Sequence, residues 1–106
     1  MTTAVFIKRD KDTVGFKISG HSGFADKGFD IVCASISSAA YLTINLLSQI
    51  DKNAKINIGD GKMSVMLSES NPEISRIMKA FEFQLLSISK EYPEFLCLCN
   101  LTGGKL

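Results

Sequence analysis

A histidine and a cysteine in the first third of the chain have the types and spacing of a base and a nucleophile. His21 is the only histidine among the 106 residues, and Cys33, one of three cysteines, follows twelve positions later. A thiol attacks as its thiolate, and an unassisted cysteine with a pKa of about 8.5 is mostly protonated at neutral pH, so a partner must take its proton. The pair therefore predicts nucleophilic catalysis, with Cys33 attacking and His21 accepting the proton.

Asp30 precedes Cys33 by three residues, which is the spacing of a helix N-cap and the amide that it accepts. Cys33 is thus predicted to lie in a first helical turn, where free amides stabilise a thiolate and bind the oxyanion of an attacked carbonyl. The negative charge of Asp30 opposes the first effect by raising the thiol pKa, and geometry decides between them. Small residues follow from Ala34, and Ser37 lies one helical turn beyond Cys33 on the same side.

Glycines punctuate the segment between the two residues. Gly20, Gly23 and Gly28 allow backbone conformations that other residues avoid, and a loop of about eleven residues can fold His21 back toward Cys33. We expect the loop to be mobile and the pair to be poorly aligned until a substrate closes the site. Taken singly, a cysteine near a helix start is more often a small buried hydrophobic residue than a nucleophile. A single histidine in a loop is more often simply exposed to solvent. Their co-location favours chemistry.

Hydrophobic periodicity predicts seven elements in the order ββαββαβ. Two hairpins come from alternating apolar residues, and two helices come from apolar residues at three-and-four spacing. The second helix has a start signal, in which Asn71 caps and Pro72 occupies the first position, and the final apolar run is predicted to be a buried strand. This order implies a single α+β domain over residues 1–106, with two helices packed on a β-sheet. The predicted segments are 5–8, 14–18, 33–50, 55–58, 63–67, 72–92 and 95–101.

Bulk properties indicate an ordinary globular domain. An apolar fraction of 45% supports one hydrophobic core, and a formal charge of +1 points to neither nucleic acid nor an anionic membrane as partner. No basic segment followed by an apolar run opens the sequence, and no stretch approaches the ~20 apolar residues of a membrane span, so a cytoplasmic location is expected. An odd number of cysteines without a secretory signal favours reduced thiols.

Two further motifs have structural interpretations. Cys97 and Cys99 are predicted to be core residues whose positions on one face of a strand are about 7 Å apart, too far for a local disulfide without distortion. They form no zinc site because the sequence offers no further thiol or imidazole cluster, so neither a metal nor a cofactor is expected. The segment 59–61, Gly-Asp-Gly, is interpreted as a hairpin turn.

The motifs around the pair resemble a known signature. Gly-His-Ser-Gly at 20–23, Gly-Phe-Asp-Ile-Val-Cys-Ala at 28–34 and Ser-Ile-Ser at 35–37 are similar to the signature of the ribosomal-processing cysteine protease family Prp. The resemblance implies that His21 and Cys33 are the catalytic pair. It implies supporting positions at Asp30, Ser37, Gly20 and Ala34.

The same resemblance implies an activity and partners. Family members remove a short N-terminal extension from bacterial large-subunit ribosomal protein twenty-seven, act without a metal or cofactor, and look like homodimers. A ribosomal protein precursor is then the peptide substrate. Two alternatives remain, a redox-sensing thiol at Cys33 and a non-catalytic ribosome-associated binding module that docks through the glycine loop. Burial of Cys97 and Cys99 argues against the sensor, because it leaves no accessible resolving cysteine.

Overall fold

The seven predicted elements are all present and in the predicted order. The computed structural model describes residues 1–26 and 29–102, so Gly28 lies outside the described residues. Five strands form one sheet in the order β3-β4-β2-β1-β5, and two helices pack on it, which confirms the α+β prediction. The elements are β1 (Thr2–Arg9), β2 (Asp12–Ser19), α1 (Ile31–Ile50), β3 (Lys55–Gly59), β4 (Lys62–Met66), α2 (Pro72–Glu91) and β5 (Leu96–Thr102).

The centre of the sheet places the end of β2 beside the β3–β4 turn. β2 pairs antiparallel with β1 on one side and with β4 on the other, and its last residue, Ser19, is opposite Lys62, the first residue of β4. The chain therefore leaves the sheet at Gly20 next to the turn that joins β3 to β4. His21 directly follows Gly20.

Each helix begins where its capping residue predicts. The Asp30 side chain accepts a hydrogen bond from the Cys33 amide, so α1 starts at Ile31, two residues before the predicted start. The Asn71 side chain accepts from the Ile74 amide at 2.9 Å and starts α2. Both contacts satisfy amides of the first turn, which have no partner within the helix.

The core lies between the sheet and the helices and contains three phenylalanines. The Phe81 ring of α2 lies 4.7 Å from Phe16 of β2 and 5.8 Å from Phe6 of β1, measured between ring centroids. All three are at most 3% exposed. Tilted and edge-on contacts of this kind stabilise a core beyond the area they bury, and here they attach α2 to the two central strands.

The far end of α1 is held by a buried carboxylate. Asp51, 1% exposed, follows the helix and accepts hydrogen bonds from the amide and hydroxyl of Ser68, which lies between β4 and α2. It also accepts from the Asn53 amide at 3.1 Å. The sequence showed only that the helix stops here, whereas the structure shows that this end of α1 is attached to a segment 17 residues away.

The prediction that the last strand is buried is wrong. β5 pairs only with β1, in parallel, and is an edge strand in which Leu96 alone is fully buried. One face of the strand packs toward α2 while the other face is open, so a continuous apolar run does not require two covered faces. The sequence could not distinguish this one-sided strand from a buried one.

The composition of α1 also differs from the expectation. By length and apolar composition alone, this helix of 20 residues would pass as a membrane-crossing segment. In the structure, one stripe of α1 faces the core while Leu42 and Leu46 remain exposed. The helices that form the core of a globular domain can meet the same composition test. The buried stripe consists of Val32, Ile36, Ala40, Thr43, Ile44 and Leu47.

Candidate active site

The structure brings His21 and Cys33 to the same two cavities. A cavity of about 520 Å³ opens at the N-terminus of α1, and a smaller cavity of about 220 Å³ lies toward the sheet. His21 and Cys33 line each of these two cavities. The predicted supporting residues lie there too. Asp30 and Ala34 line the larger cavity, Gly20 lines the smaller one, and Ser37 lines both. All six residues singled out in the sequence are thus grouped at one end of α1.

Asp30 is the ionised cap of the helix that carries Cys33. Its Oδ1 accepts from the Cys33 amide at 2.9 Å and its Oδ2 accepts from the Ser22 hydroxyl. Burial raises the pKa of Asp30, but these hydrogen bonds outweigh that effect and lower the pKa to about 2. The group is therefore a carboxylate at neutral pH, and it fixes both the helix start and the loop that follows His21.

Ser22 is the residue that sequence reasoning missed. It is 1% exposed, its hydroxyl donates to Asp30 and accepts from the Phe24 amide, and its own amide donates to Cys33 Sγ at 3.2 Å. Its sequence signals were its place directly after the sole histidine and within the Gly-His-Ser-Gly motif at 20–23. This serine directly follows the histidine in the chain and links the helix cap Asp30 to the thiol of Cys33.

The amide of Cys33 is capped by Asp30, as predicted. The Cys33 amide bonds with Asp30 Oδ1, and the Ala34 amide bonds with the Asp30 carbonyl, so neither is free to receive an oxyanion in this structure. The Ser22 amide is the donor directed at the Cys33 sulfur.

His21 rests against the β3–β4 turn. Its side chain is exposed, and its imidazole lies beside Gly61 of that turn. Within the described part of the chain, no hydrogen bond joins the imidazole to Cys33 Sγ, which accepts from the Ser22 amide. The two residues line the same cavities, with no hydrogen bond between their side chains in the described part of the chain.

The glycine-rich loop is held by aromatic contacts that the sequence did not predict. Phe24 packs edge-on against Tyr92 and Phe95, with ring centroids 5.6 and 5.3 Å away. These partners lie in the segment between α2 and β5, almost 70 residues further along the chain. The loop therefore contacts the opposite end of the sequence while it carries His21.

Cys97 and Cys99 are not core residues, contrary to the prediction. Cys97 is half-buried and Cys99 is exposed, because both lie on the open face of the edge strand β5. Their sulfurs are 3.9 Å apart, since the side chains lean toward each other, and this contact raises the pKa of Cys99. The burial argument against a redox sensor therefore does not hold. Among residues 1–26 and 29–102, no three side chains of metal-ligating type are grouped as a metal site.

Asp30 variants should separate capping from charge. We expect Asp30→Ala to lower the free energy of unfolding at pH 7 by about 1 kcal/mol, while Asp30→Asn, which still caps, lies between it and the unchanged protein. The pKa is lowered in the folded state, so the stabilisation is present above pH 4 and is lost as the pH falls toward 2. Urea unfolding measures the free energy of unfolding of the unchanged protein and of Asp30→Asn between pH 7 and pH 2. The difference between the two should shrink as the pH falls. A gap that is constant with pH would contradict this.

Comparison with known proteins agrees with the fold and with cysteine-based chemistry. A family model described as cysteine protease Prp matches residues 1–97. The solved structure of SMU.848 from Streptococcus mutans is 26% identical with a TM-score of 0.78, covering 96% of this chain and 95% of that one. No curated protein sequence matches the chain significantly.

Two further solved structures are of a ribosomal processing protease Prp from S. aureus. The one in complex with a covalently linked product peptide is 24% identical with a TM-score of 0.87, and the one in complex with a substrate peptide is 23% identical with a TM-score of 0.82. Each alignment covers 94% of this chain and 99% of the other. At this level of identity the likeness shows a shared fold.

Proposed function

The chain belongs to the cysteine protease Prp family, and from that membership we propose that it removes the N-terminal extension of bacterial large-subunit ribosomal protein twenty-seven. In this proposal Cys33 is the nucleophile and His21 the base. The observation that carries it is the placement of His21 and Cys33 on one open cavity at the start of α1, where the Ser22 amide donates to Cys33 Sγ. Membership of a protease family favours this activity over the redox sensor and the non-catalytic module.

The first chemical step forms the acyl-enzyme. His21 takes the Cys33 proton, the thiolate forms a bond to the scissile carbonyl carbon, and the carbonyl π electrons move onto oxygen. Negative charge moves from the sulfur to the carbonyl oxygen beside it. The Ser22 amide, which donates to the sulfur, can then donate to this oxyanion. The C–N bond then breaks as His21 gives its proton to the leaving amine.

The second step releases the product. Water attacks the thioester carbonyl while His21 takes a proton from it, and the C–S bond breaks to return the Cys33 thiolate or thiol. Asp30 takes no part in proton transfer, because its low pKa keeps it ionised. It acts by holding Cys33 and Ser22 in position.

An extended peptide substrate suits this site. Ala34 and Ser37 present small side chains next to Cys33, which lets a chain approach the sulfur along α1. The strand β3 forms one edge of the sheet, and its hairpin turn reaches the same cavities through Asp60. We propose that backbone pairing with this edge or with the loop orients the peptide.

The proposed assembly is a homodimer in the cytoplasm, where ribosomal proteins are incorporated. An apolar groove of about 830 Å³ between α1 and α2 supports the dimer, because Leu42 and Leu46 are 63% and 41% exposed there. Exposed apolar patches of this kind mark protein interaction surfaces. Sedimentation equilibrium would distinguish a dimer from a monomer of 11.6 kDa.

Incubation with the precursor tests the function. The purified protein is mixed with ribosomal protein twenty-seven carrying its bacterial N-terminal extension, beside the mature form without it, and the products are identified by mass spectrometry. We expect a single cut that yields the mature N-terminus and no change in the mature form. An intact precursor that stays bound would support the non-catalytic module, and oxidation of Cys33 by peroxide without cleavage would support the sensor.

A further inference from the structure

The turn between β3 and β4 contacts the imidazole of His21 at Gly61, where a side chain would crowd the ring. A Cβ placed on Gly61 would lie 3.1 Å from His21 Nε2, 3.6 Å from Cε1 and 3.8 Å from Cδ2. The Nε2 edge of the ring thus faces the bare Cα of Gly61. A side chain at position 61 would meet the ring at a distance that displaces it.

The same turn holds the backbone that carries the histidine. The Gly20 amide donates to the Gly61 carbonyl at 2.9 Å, and a Cβ on Gly20 would lie 2.7 Å from the carbonyl oxygen of Met1. Gly20 is therefore confined between β1 and the turn. Gly61 therefore contacts the ring of His21 and accepts a hydrogen bond from the amide of the residue before it.

We propose that Gly61 is a positioning residue that seats the His21 imidazole for proton exchange with Cys33. The inference rests on the proposed catalytic role of His21. A hairpin turn alone requires only a residue that tolerates the φ of +67° found at Gly61, which asparagine also does. The imidazole of His21, 40 residues earlier in the chain, adds a second requirement, because it leaves little room for a side chain at position 61.

The two glycines of the hairpin separate these requirements. Gly59 ends β3 at the same turn, has no positive φ, and a Cβ there would meet nothing within 4 Å. Asp60 lies between them and lines both cavities with His21, so its carboxylate adds negative charge on the side where an imidazolium forms. Of the two hairpin glycines, Gly61 alone therefore lies against the His21 ring.

The sole histidine provides a direct measurement. Its Hε1 proton gives a single imidazole resonance in the NMR spectrum, and Cε1 is among the atoms nearest to the substituted position. We expect Gly61→Ala to shift this resonance by more than a linewidth and Gly59→Ala to leave it unchanged. Gly61→Asn keeps the backbone conformation accessible and should shift it as well, which separates contact with the ring from backbone strain.

Kinetics test whether the seat matters for the reaction. The ring must move by less than the ~1 Å that costs ~10²-fold in rate, so kcat for the precursor should fall by about threefold to tenfold in both Gly61 variants, with KM within about threefold. A folded Gly61 variant with an unshifted resonance, or with a shifted resonance and kcat within about twofold of the unchanged protein, would overturn the inference. If the unchanged protein does not cleave the precursor, the proposed function fails, and the resonance alone still decides whether Gly61 seats the ring.

Discussion

Replacing Cys33 with alanine is expected to reduce kcat/KM for the precursor by at least ~10³-fold, because Cys33 is the only thiol among the described residues that line the two cavities. His21→Ala should reduce it by ~10²- to 10⁴-fold, the usual contribution of a general base, since the Ser22 amide that bonds with Cys33 Sγ remains in place. Initial rates of precursor cleavage, followed by mass spectrometry, give both values.

The chain contains its own control for thiol loss. Cys99 is exposed on β5 and lines neither cavity that contains His21 and Cys33. Cys99→Ser should therefore cleave at the rate of the unchanged protein. Cleavage by Cys33→Ala at a rate similar to that of Cys99→Ser would remove Cys33 from the mechanism.

Replacing Phe81 with alanine is expected to have the largest effect on stability. The ring is 3% exposed and contacts Phe6 and Phe16, so its removal leaves a cavity between α2 and the two central strands. Truncation of a buried phenylalanine costs about 3–5 kcal/mol, which is a large part of the stability of a domain of this size. Urea unfolding followed by circular dichroism measures the change.

Phe83 supplies the matched comparison on the same helix. It lies two residues further along α2 and is 63% exposed, so Phe83→Ala should change the free energy of unfolding by no more than about 0.5 kcal/mol. Equal losses in the two variants would mean that the aromatic cluster does not hold α2 on the sheet.

Local signals in the sequence predicted local structure well. The N-caps Asp30 and Asn71 bond with amides three residues ahead, and such contacts depend on little beyond the residue type and its spacing. The apolar stripe of α2 was predicted for the same reason, because a helical period is visible in the order of residues. Both helices, and the grouping of Asp30 with Cys33, followed from such short-range rules.

Predictions that depended on neighbours distant in sequence were less successful. The apolar composition of β5 suggested full burial, but its place at the sheet edge leaves Cys99 exposed. The hydrogen bond from the buried Ser22 to the sulfur of Cys33 had no counterpart in the sequence prediction. Burial and hydrogen-bond partners depend on what lies across space, which a run of residue types does not specify.

The sequence by itself determined which residues are available for chemistry, since one histidine, one helix-start cysteine and one capping carboxylate occur within 13 consecutive positions. Only the tertiary structure decided how they meet. The pairing of β2 with β4 brings Gly61 against the His21 ring, and the folded loop brings the Ser22 amide to the Cys33 sulfur. The physical reason is the distance along the chain. A cap bonds with an amide three residues ahead, whereas the position of the His21 ring depends on strand pairing that brings Gly61, 40 residues further along, against it.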